Sequence, residues 1–217
     1  MRIAVIGASA GTGRHVVQQG VARGHKMVAV SRRGCDVPGA VNVPGDAIDP
    51  WVLATALHGC DVAVITVGGA PGDDRFRTRV TRAVIDAVEG RDVRLVVQSS
   101  IGVGESMALL NARARLYART MLKSALADHT HQEEVARSSG LRYTIVRPGG
   151  LTDEPASGRV STGGPGFVAR ISRADVASFV LDAVEGDGAD EQEFNLGSAP
   201  GVSASPAAAS DRPRRAR

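Results

Sequence analysis

Three glycines near the start of the chain have the spacing of a turn that receives a pyrophosphate. Gly7, Gly11 and Gly13 lie between a β-branched run, residues 2–6, and a helical pattern that reaches about residue 23. Gly7 tolerates unusual backbone angles, Gly11 lets the backbone approach a ligand, and Gly13 allows close packing of helix on strand. Phosphates would meet free N–H groups at the helix N-terminus. The expected contacts are Gly7, Ser9, Ala10, Gly11, Thr12 and Gly13.

A glycine-rich turn can also be a plain connection in a protein that has lost its ligand. The strand before this turn and the helix after it favour dinucleotide binding. No Gly-Lys-Ser or Gly-Lys-Thr follows the glycines, which excludes a mononucleotide P-loop.

The end of the second predicted strand, residues 26–31, indicates which dinucleotide is preferred. Sites that prefer NAD usually place an acid there to accept hydrogen bonds from the ribose 2′-hydroxyl. This chain has Ser31, Arg32 and Arg33 instead, and guanidinium groups bind a 2′-phosphate through charge-assisted bonds. The sequence therefore favours NADPH, the alternative being a solvated arginine pair on the surface.

Small and polar residues follow three further predicted strands, residues 41–44, 61–66 and 93–98. Because ligands of open α/β sheets bind beyond the carboxyl ends of strands, these residues are candidates for the same site. Ser100 is the candidate catalytic hydroxyl, with a purely structural hydroxyl as the alternative. The residues in question are Asp46, Val67, Gly68, Gly69, Ser99 and Ser100.

Strands that alternate with helices predict an α/β fold with a doubly wound parallel sheet, the Rossmann fold. Asp49-Pro50 is typical of a helix start, and Ser172 to Asp175 of a capping box. Residues 106–137 contain no proline or glycine, which predicts either one long helix or, as we favour, a short lid segment plus a helix. Residues 150–170 predict a substrate-side loop. The other predicted elements are a helix at 75–88, strands at 141–146 and 193–196, and a helix that ends near residue 184.

The composition indicates one domain, residues 1–197, with a small substrate-side region from its C-terminal part. Of the 217 residues only 3% are aromatic, so small and branched aliphatic side chains must form the core. Residues 198–217 have a net charge of +3, which equals the charge of the whole chain. We therefore expect a disordered basic tail, with no nucleic-acid-binding face on the domain.

Neither cysteine, Cys35 or Cys60, belongs to a metal or redox motif, so no metal site is expected. No secretory signal and no apolar run of membrane-spanning length is evident, which predicts a cytoplasmic protein without a membrane segment. Arg113, Arg115, Arg119 and Lys123 form a basic stretch that could attract anionic substrates, although a solvated helix face explains it equally well.

Over about residues 1–197 the chain resembles the atypical branch of the short-chain dehydrogenase/reductase superfamily. Within it, the chain is similar to NAD(P)H-binding proteins related to NmrA and to biliverdin/flavin reductase. The resemblance implies that Asp46 meets the adenine, that the segment after the fourth strand meets the adenosine ribose, and that Ser99 and Ser100 lie at the cofactor. It also places Pro148 and Gly149 at the nicotinamide amide. The motifs that carry it are the glycine turn, Gly45-Asp46, Ser99-Ser100, residues 139–149 and residues 171–176.

The chain departs from better-known members of the superfamily at their catalytic Tyr-x-x-x-Lys pair. In the register that Pro148 sets, Ala125 stands at the tyrosine position and His129 at the lysine position. The resemblance to biliverdin/flavin reductase includes Asp128-His129, so His129 is a candidate to bond the ribose or help deliver a proton. A surface histidine is the alternative, and His131 is expected at the surface.

Three functions follow as hypotheses. The leading one is an NADPH-dependent reductase that acts on a conjugated acceptor, such as a flavin or quinone, because such acceptors need little acid catalysis. The second is an NADP(H)-binding redox sensor that signals through a protein partner without catalysis. Epimerase or dehydratase chemistry on nucleotide sugars is a third, which the missing tyrosine and lysine disfavour.

Overall fold

The computed structural model describes residues 1–163, 167–186, 190 and 192–199. Ten strands, six α-helices and one 3₁₀ helix are formed by the described residues. The strands are β1 Arg2–Ile6, β2 Lys26–Ser31, β3 Val41–Pro44, β4 Val62–Ile65, β5 Arg94–Gln98, β6 Tyr143–Pro148, β7 Gly150–Thr152, β8 Val160–Ser161, β9 Arg170–Ser172 and β10 Gln192–Ser198. The α-helices are α1 Gly11–Ala22, α2 Pro50–Leu57, α3 Phe76–Ala87, α4 Ala112–Thr120, α5 Lys123–Arg137 and α6 Arg173–Glu185, and the 3₁₀ helix spans Gly104–Leu109.

The main sheet has the strand order β3-β2-β1-β4-β5-β6-β10-β8. All neighbours pair in parallel except β8, which is antiparallel to β10. The order reverses between β1 and β4, and that switch point is where such sheets bind ligands. The predicted Rossmann-type doubly wound fold is thus confirmed.

Strands β1, β2, β4, β5 and β6 are buried on both faces along most of their length, which explains their mainly apolar sequences. On β1, Ile3 and Val5 pack toward one layer with α1 and α6, whereas Ala4 and Ile6 pack toward α2, α3 and α5. Both layers consist mainly of valine, isoleucine, leucine and alanine, as the low aromatic content predicts. A rigid sheet of this kind fixes the positions of the loops at its carboxyl edge.

Several predicted boundaries are confirmed, among them the start of α2. The Asp49 carboxylate accepts hydrogen bonds from the N–H groups of Trp51 and Val52. The region 106–137 is divided, as predicted, into a lid segment and α5. Because Met121 and Leu122 interrupt the regular helix, the lid holds the 3₁₀ helix and α4.

The carboxyl end of β6 differs from the prediction. The strand continues through Arg147 to Pro148 instead of ending at residue 146, because Arg147 is buried in an ion pair and Pro148 needs no N–H partner. The predicted loop 150–170 contains the short strands β7, β8 and β9, of which β7 and β9 form a separate two-stranded sheet. The many glycine and polar residues of 150–170 predict a surface loop and do not reveal these short strands.

The capping box at the start of α6 also fastens the substrate-side loop. The Ser172 hydroxyl accepts from the Asp175 N–H at 3.0 Å. The Asp175 carboxylate accepts from the N–H groups of Ser157 and Gly158 at 3.0 and 2.9 Å. Asp175 therefore holds the 150–163 loop against the domain.

The predicted tail falls almost wholly outside the described residues, since Ser198 ends β10 and residues 200–217 are not described. Among the described helices, none is both long and apolar enough to span a bilayer.

Candidate functional site

A cleft of about 460 Å³ opens at the carboxyl edge of the sheet, across the switch point between β1 and β4. We call the part formed by residues 7, 9–12, 30–32 and 45–47 the amino-terminal wall. The part formed by residues 98–100, 129 and 148–149 is the carboxyl-terminal wall. Four other residues complete the lining near the end of β4, Thr66, Val67, Gly68 and Gly69, and four more come from neighbouring elements, Phe76, Arg77, Leu151 and Arg173.

The glycine turn has the backbone geometry that its sequence requires. Gly7 and Gly11 have φ values of 99° and 56°, a region that other residues rarely adopt. A Cβ atom at Gly7 would lie 3.0 Å from the amide nitrogen of Val67, and one at Gly13 would overlap the Gly7 carbonyl oxygen. Gly13 thus lies behind the cleft and sets the distance between α1 and β1, whereas Gly7 and Gly11 line the cleft.

The N-terminus of α1 has the donors that an anion needs. Ala10 is its N-cap, and no side chain caps this end among the described residues. Ser9 and Ala10 are exposed at the mouth of the cleft, while Thr12 is buried and its hydroxyl has no partner in the described part of the chain. A buried hydroxyl without a partner is costly, and a bound ligand would satisfy it. These features fit the pyrophosphate of a dinucleotide.

The residues after β2 lie at the rim of the amino-terminal wall. Ser31 is buried, and its hydroxyl donates to the Gly34 carbonyl at 2.7 Å, which bends the chain beyond the strand. Arg32 lines the cleft, whereas Arg33 is exposed beside it. Neither arginine forms an ion pair within the described part of the chain. Two unpaired guanidinium groups near a cleft are available to an anion.

Asp46 is exposed at the same rim, and one of its carboxylate oxygens accepts from the Ile48 N–H at 3.2 Å. Gly45 precedes it with a φ of 157°, and its N–H donates to the Ser31 carbonyl at 3.1 Å. The ends of β2 and β3 are therefore fixed to each other, and Asp46 keeps a second oxygen for a ligand.

The Ser99 hydroxyl is directed into a buried ionic network rather than into the cleft. It donates to Glu133 at 2.6 Å, and Glu133 is fully buried. Arg147 donates to both Glu133 oxygens, at 2.8 and 2.6 Å, and also pairs with Glu193. The network joins α5 to β5, β6 and β10. Although Ser99 lines the cleft, its hydroxyl holds the carboxyl-terminal wall in place.

Ser100 is the free hydroxyl of this wall. It is half-buried, and its only described side-chain bond is a local one, to the Ile101 carbonyl at 3.1 Å. Pro148 and Gly149 lie across from it in the cleft lining, and the Gly149 N–H donates to the Leu196 carbonyl at 2.8 Å. A Cβ atom at Gly149 would overlap the Ala169 backbone, so this position requires glycine. Because the local bond to Ile101 is the only one described for its side chain, Ser100 can turn its hydroxyl toward a ligand at little cost.

Asp128 fixes α5 at the N-terminus of α3. Its carboxylate accepts from the N–H groups of Arg77 and Thr78 at 3.0 and 3.1 Å and from the Thr78 hydroxyl at 2.7 Å. No side chain within α3 or at its N-cap residue Arg75 makes this bond, so Asp128 serves as the cap from another helix. The next residue, His129, is thereby held in the cleft lining.

His129 is buried, with 8% of its surface exposed, and is not the surface histidine of the alternative interpretation. Its Nδ1 lies 3.0 Å from Gln132 Oε1, and the Gln132 amide donates to the Thr81 hydroxyl at 3.1 Å. Because Gln132 Oε1 can only accept a hydrogen bond, Nδ1 carries the proton of the neutral ring. Nε2 is left as an acceptor, and no described residue bonds it. His131, in contrast, is half-exposed and lies 3.0 Å from Glu134.

Burial, and after it the charge of Arg77, lowers the pKa of His129 to about 4, against the opposing effects of Gln132, Asp128 and Glu133. A group with this pKa is protonated in only about one molecule in a thousand at pH 7. His129 can therefore accept a hydrogen bond from a ligand hydroxyl but is a poor proton donor. Of the two roles predicted for it, the geometry fits the ribose contact better.

Three cleft residues with long polar side chains are not among the sites that the sequence predicts. Gln98 ends β5 with a buried amide oxygen that has no partner among the described residues. Arg77 lies in the first turn of α3, and its guanidinium would be 3.2 Å from a Cβ atom at Gly69. Arg173 begins α6, extends over Gly11 and pairs with Asp153 at 2.7 Å. Only the position of Arg173 next to the capping box could have indicated it.

Comparison with known proteins agrees with this geometry. Over 149 residues the chain is 29% identical to a protein named as an uncharacterized sugar epimerase, YhfK of Bacillus subtilis, which covers 68% of this chain and 67% of that protein. It is 32% identical over 175 residues to an uncharacterized chloroplast protein of Arabidopsis thaliana, covering 73% of this chain and 62% of the relative's length.

Among solved structures, the anaerobillin reductase ChuY of Escherichia coli superposes with a TM-score of 0.77 at 27% identity, over 94% of this chain and all of that one. A candidate NADH-flavin reductase of Streptococcus pneumoniae shares the fold, with a TM-score of 0.76 at 18% identity, over 91% of this chain and 99% of that one. The model of the NAD(P)H-binding family matches residues 7–187. The chain therefore belongs to the NAD(P)H-binding family, with a reductase-like Rossmann fold.

Proposed function

We propose that the protein is an NADPH-dependent reductase that transfers hydride to a conjugated acceptor such as a flavin, a quinone or a conjugated carbonyl compound. The proposal rests on the chemical groups that line one cleft. An uncapped helix N-terminus and an unpaired arginine lie on one wall, and a free hydroxyl and a neutral histidine lie on the other. The similarity to a solved reductase supports the same class of reaction.

The amino-terminal wall supplies the groups that would bind the cofactor. The N–H groups of the first turn of α1, the Thr12 hydroxyl and the Arg173 guanidinium would hold the pyrophosphate. Arg32 and Arg33 would hold the 2′-phosphate, because no carboxylate occupies the end of β2. Asp46 and residues 67–69 lie where the adenosine would extend.

The carboxyl-terminal wall would orient the reactive ring. His129 Nε2 would accept a hydrogen bond from a ribose hydroxyl, Ser100 would donate to the cofactor or the acceptor, and Pro148 and Gly149 would lie beside the ring. The bound cofactor supplies the hydride. The protein positions the acceptor and excludes water from the end of β5.

The class of acceptor follows from the lack of a proton-donating side chain among the described residues that line the cleft. None of the described lining residues is a tyrosine, lysine or cysteine, and His129 is neutral near pH 7. A positioned acid accelerates reduction of a simple ketone by about 10²–10⁴-fold, whereas a conjugated acceptor spreads the negative charge. Conjugated acceptors are therefore the better substrates.

The absence of a catalytic tyrosine and lysine also argues against epimerase chemistry, the activity that the name of YhfK would suggest. The chain has two tyrosines, Tyr117 and Tyr143, and neither is followed four residues later by lysine. Tyr143 also begins β6, at the opposite edge of the sheet from the cleft.

The test is a titration of the purified protein with NADPH and NADH, followed by turnover measurements with flavins, quinones and a simple ketone. NADPH should bind more tightly, and Arg32→Ala/Arg33→Ala should weaken NADPH binding by at least about tenfold while leaving NADH binding unchanged. Arg82→Ala is a matched control, because Arg82 is exposed on α3 and does not line the cleft.

Equal losses for both cofactors would refute the assignment of the two arginines. Binding without turnover of any acceptor would refute the reductase and support the redox sensor, whose protein partner a pull-down would then identify. Failure to bind either cofactor would refute both functions.

A further inference from the structure

A compact apolar surface lies on the lid, outside the cleft. Of the eight large apolar residues that are exposed among the described ones, four are consecutive or nearly so in this segment. Leu116 and Met121 are 66% and 72% exposed, figures more usual for charged side chains. We call this group the lid surface; it consists of Leu116, Tyr117, Met121 and Leu122.

Positive charge surrounds the lid surface. Arg113, Arg119 and Lys123 are exposed and form no ion pair within the described part of the chain. Arg115 is half-buried and donates to the Leu110 carbonyl at 3.1 Å, so it is partly committed to the fold. Residues 106–127 contain no aspartate or glutamate at all. A solvated helix face, as the sequence suggested, does not explain the exposed apolar side chains among these charges.

The fold presents this surface outward on a fixed support. Arg113, Leu116 and Tyr117 on α4 share one face with its C-cap residue Met121, because the last three lie three, four and eight positions after Arg113. The opposite face packs inward through Ala118, which belongs to a small core with Val103 and Leu126. The apolar side chains therefore cannot turn inward without displacing that core.

We propose that the lid surface docks on an anionic lipid bilayer. Leucine, methionine and tyrosine side chains would enter the boundary between headgroups and acyl chains, while Arg113, Arg119 and Lys123 contact anionic headgroups. This arrangement is typical of helices that lie in the plane of a membrane surface. The nine residues of α4 are too few and too polar to cross a bilayer.

Charge and size argue against the other occupants. A second copy of the chain would bring two like-charged surfaces together, and residues 106–127 contain no acid to pair with them. A stable protein interface uses about 20–30 residues on each side, many more than the lid surface offers. A bilayer requires no complementary shape, so four apolar side chains with surrounding cations can suffice.

Docking would bring the cleft close to the lipid. Lys123 begins α5, and His129 follows six residues later on the same helix, about 9 Å along its axis. A lipid-soluble quinone would then be the most accessible of the conjugated acceptors. That consequence rests on the proposed function, whereas bilayer docking does not.

The test is co-sedimentation of the full chain with vesicles of phosphatidylcholine alone and with vesicles of equal parts phosphatidylcholine and phosphatidylglycerol. The chain should sediment only with the anionic vesicles. Leu116→Ser/Met121→Ser should abolish this binding, and Arg113→Gln/Arg119→Gln should weaken it about thirtyfold. The matched control is Trp51→Ser/Arg82→Gln, which removes one exposed apolar and one exposed charged side chain elsewhere and should bind like the wild type.

Unchanged NADPH affinity and thermal unfolding in all variants would establish that they are folded, so docking is judged separately from the proposed function. Several results would overturn the proposal. The first is that the chain does not bind the anionic vesicles, and the second is that the control and the lid variants bind them equally. The third is that the lid surface binds polyglutamate, or a second copy of the chain, while the vesicles stay unbound.

Discussion

The amino-terminal wall of the cleft presents mainly backbone N–H groups and unpaired cations, whereas side chains that are buried and already paired build the carboxyl-terminal wall. In the first wall, Gly7 and Gly11 set the path of the chain and Arg32 is unpaired among the described residues. Behind the second wall, Asp128 and Glu133 are almost completely buried, and each accepts several hydrogen bonds. The first wall is organised locally, and the second depends on contacts between distant elements.

This difference has a functional meaning. Exposed cations and free N–H groups stay available to a ligand, so the amino-terminal wall is suited to binding. Buried pairs fix side-chain positions within narrow limits, so the carboxyl-terminal wall is suited to orienting a reactive ring. Substitutions should accordingly affect stability more in the second wall than in the first.

The largest effect is expected from Glu133→Gln. The substitution removes the charge that Arg147 and Ser99 share, and leaves a buried guanidinium with only Glu193 as an anionic partner. Unfolding free energy should fall by about 3–5 kcal/mol. Urea unfolding monitored by circular dichroism measures it.

Arg142→Gln is the control for that prediction, because Arg142 pairs with Asp92 at the surface and should cost less than about 1 kcal/mol. If Glu133→Gln cost no more than this control, the carboxyl-terminal wall would not depend on its buried ion pair, and the contrast between the walls would fail.

The pH dependence of stability should reveal His129. Its pKa is about 4 in the folded protein and near 6.5 when unfolded, so the unfolded state takes up a proton first as the pH falls. Stability from the neutral ring is complete above about pH 6.5 and is lost between there and pH 4, by about 3 kcal/mol. Denaturant unfolding across this range would show the loss, relative to a His129→Asn variant that cannot titrate.

His58→Asn is the comparison variant, since His58 is exposed on the surface. The difference between wild type and His129→Asn should change with pH, and that between wild type and His58→Asn much less. A difference that stays constant from pH 7 to pH 4 would mean that His129 is not buried as a neutral ring.

The two walls also differ in how well sequence predicts them. The turn at Gly7 follows from local requirements, because backbone angles and close packing demand glycine there whatever the rest of the chain does. The doubly wound parallel sheet follows from the alternation of strands and helices. In the sequence, Glu133 is one of several acids in the polar stretch 128–134. Nothing local indicates that Ser99 and Arg147 contact it in the folded protein. The role of Asp128 as a cap for α3 likewise depends on a contact 50 residues away.

Gly13→Ala should have an intermediate effect in the amino-terminal wall. The added methyl group would overlap the Gly7 carbonyl oxygen and push α1 away from β1, at a cost of about 1–3 kcal/mol. NADPH binding should be lost along with it, because the first turn of α1 moves. Gly68→Ala is the matched control: Gly68 lines the cleft, but a Cβ there meets no atom within 4 Å. Titration and unfolding of both variants test the point, and similar losses in the two would refute the packing role of Gly13.

The smallest effect, and one of opposite sign, is expected from Asp153→Ala. Asp153 is 86% exposed and pairs with Arg173, whose side chain extends over Gly11 at the glycine turn. A surface pair of this kind is worth at most about 1 kcal/mol, so releasing Arg173 toward the cofactor phosphates should tighten NADPH binding by up to about fivefold. Raising the salt concentration should reduce the gain, because screening already weakens the pair.

Glu154→Ala supplies the comparison, since Glu154 is in the same loop but pairs with Arg170. It should leave NADPH affinity unchanged. If Asp153→Ala instead weakened binding, Asp153 would be orienting Arg173 for the phosphate rather than competing with it. Paired side chains would then position groups in both walls of the cleft. The two walls would differ only in how exposed those pairs are to solvent.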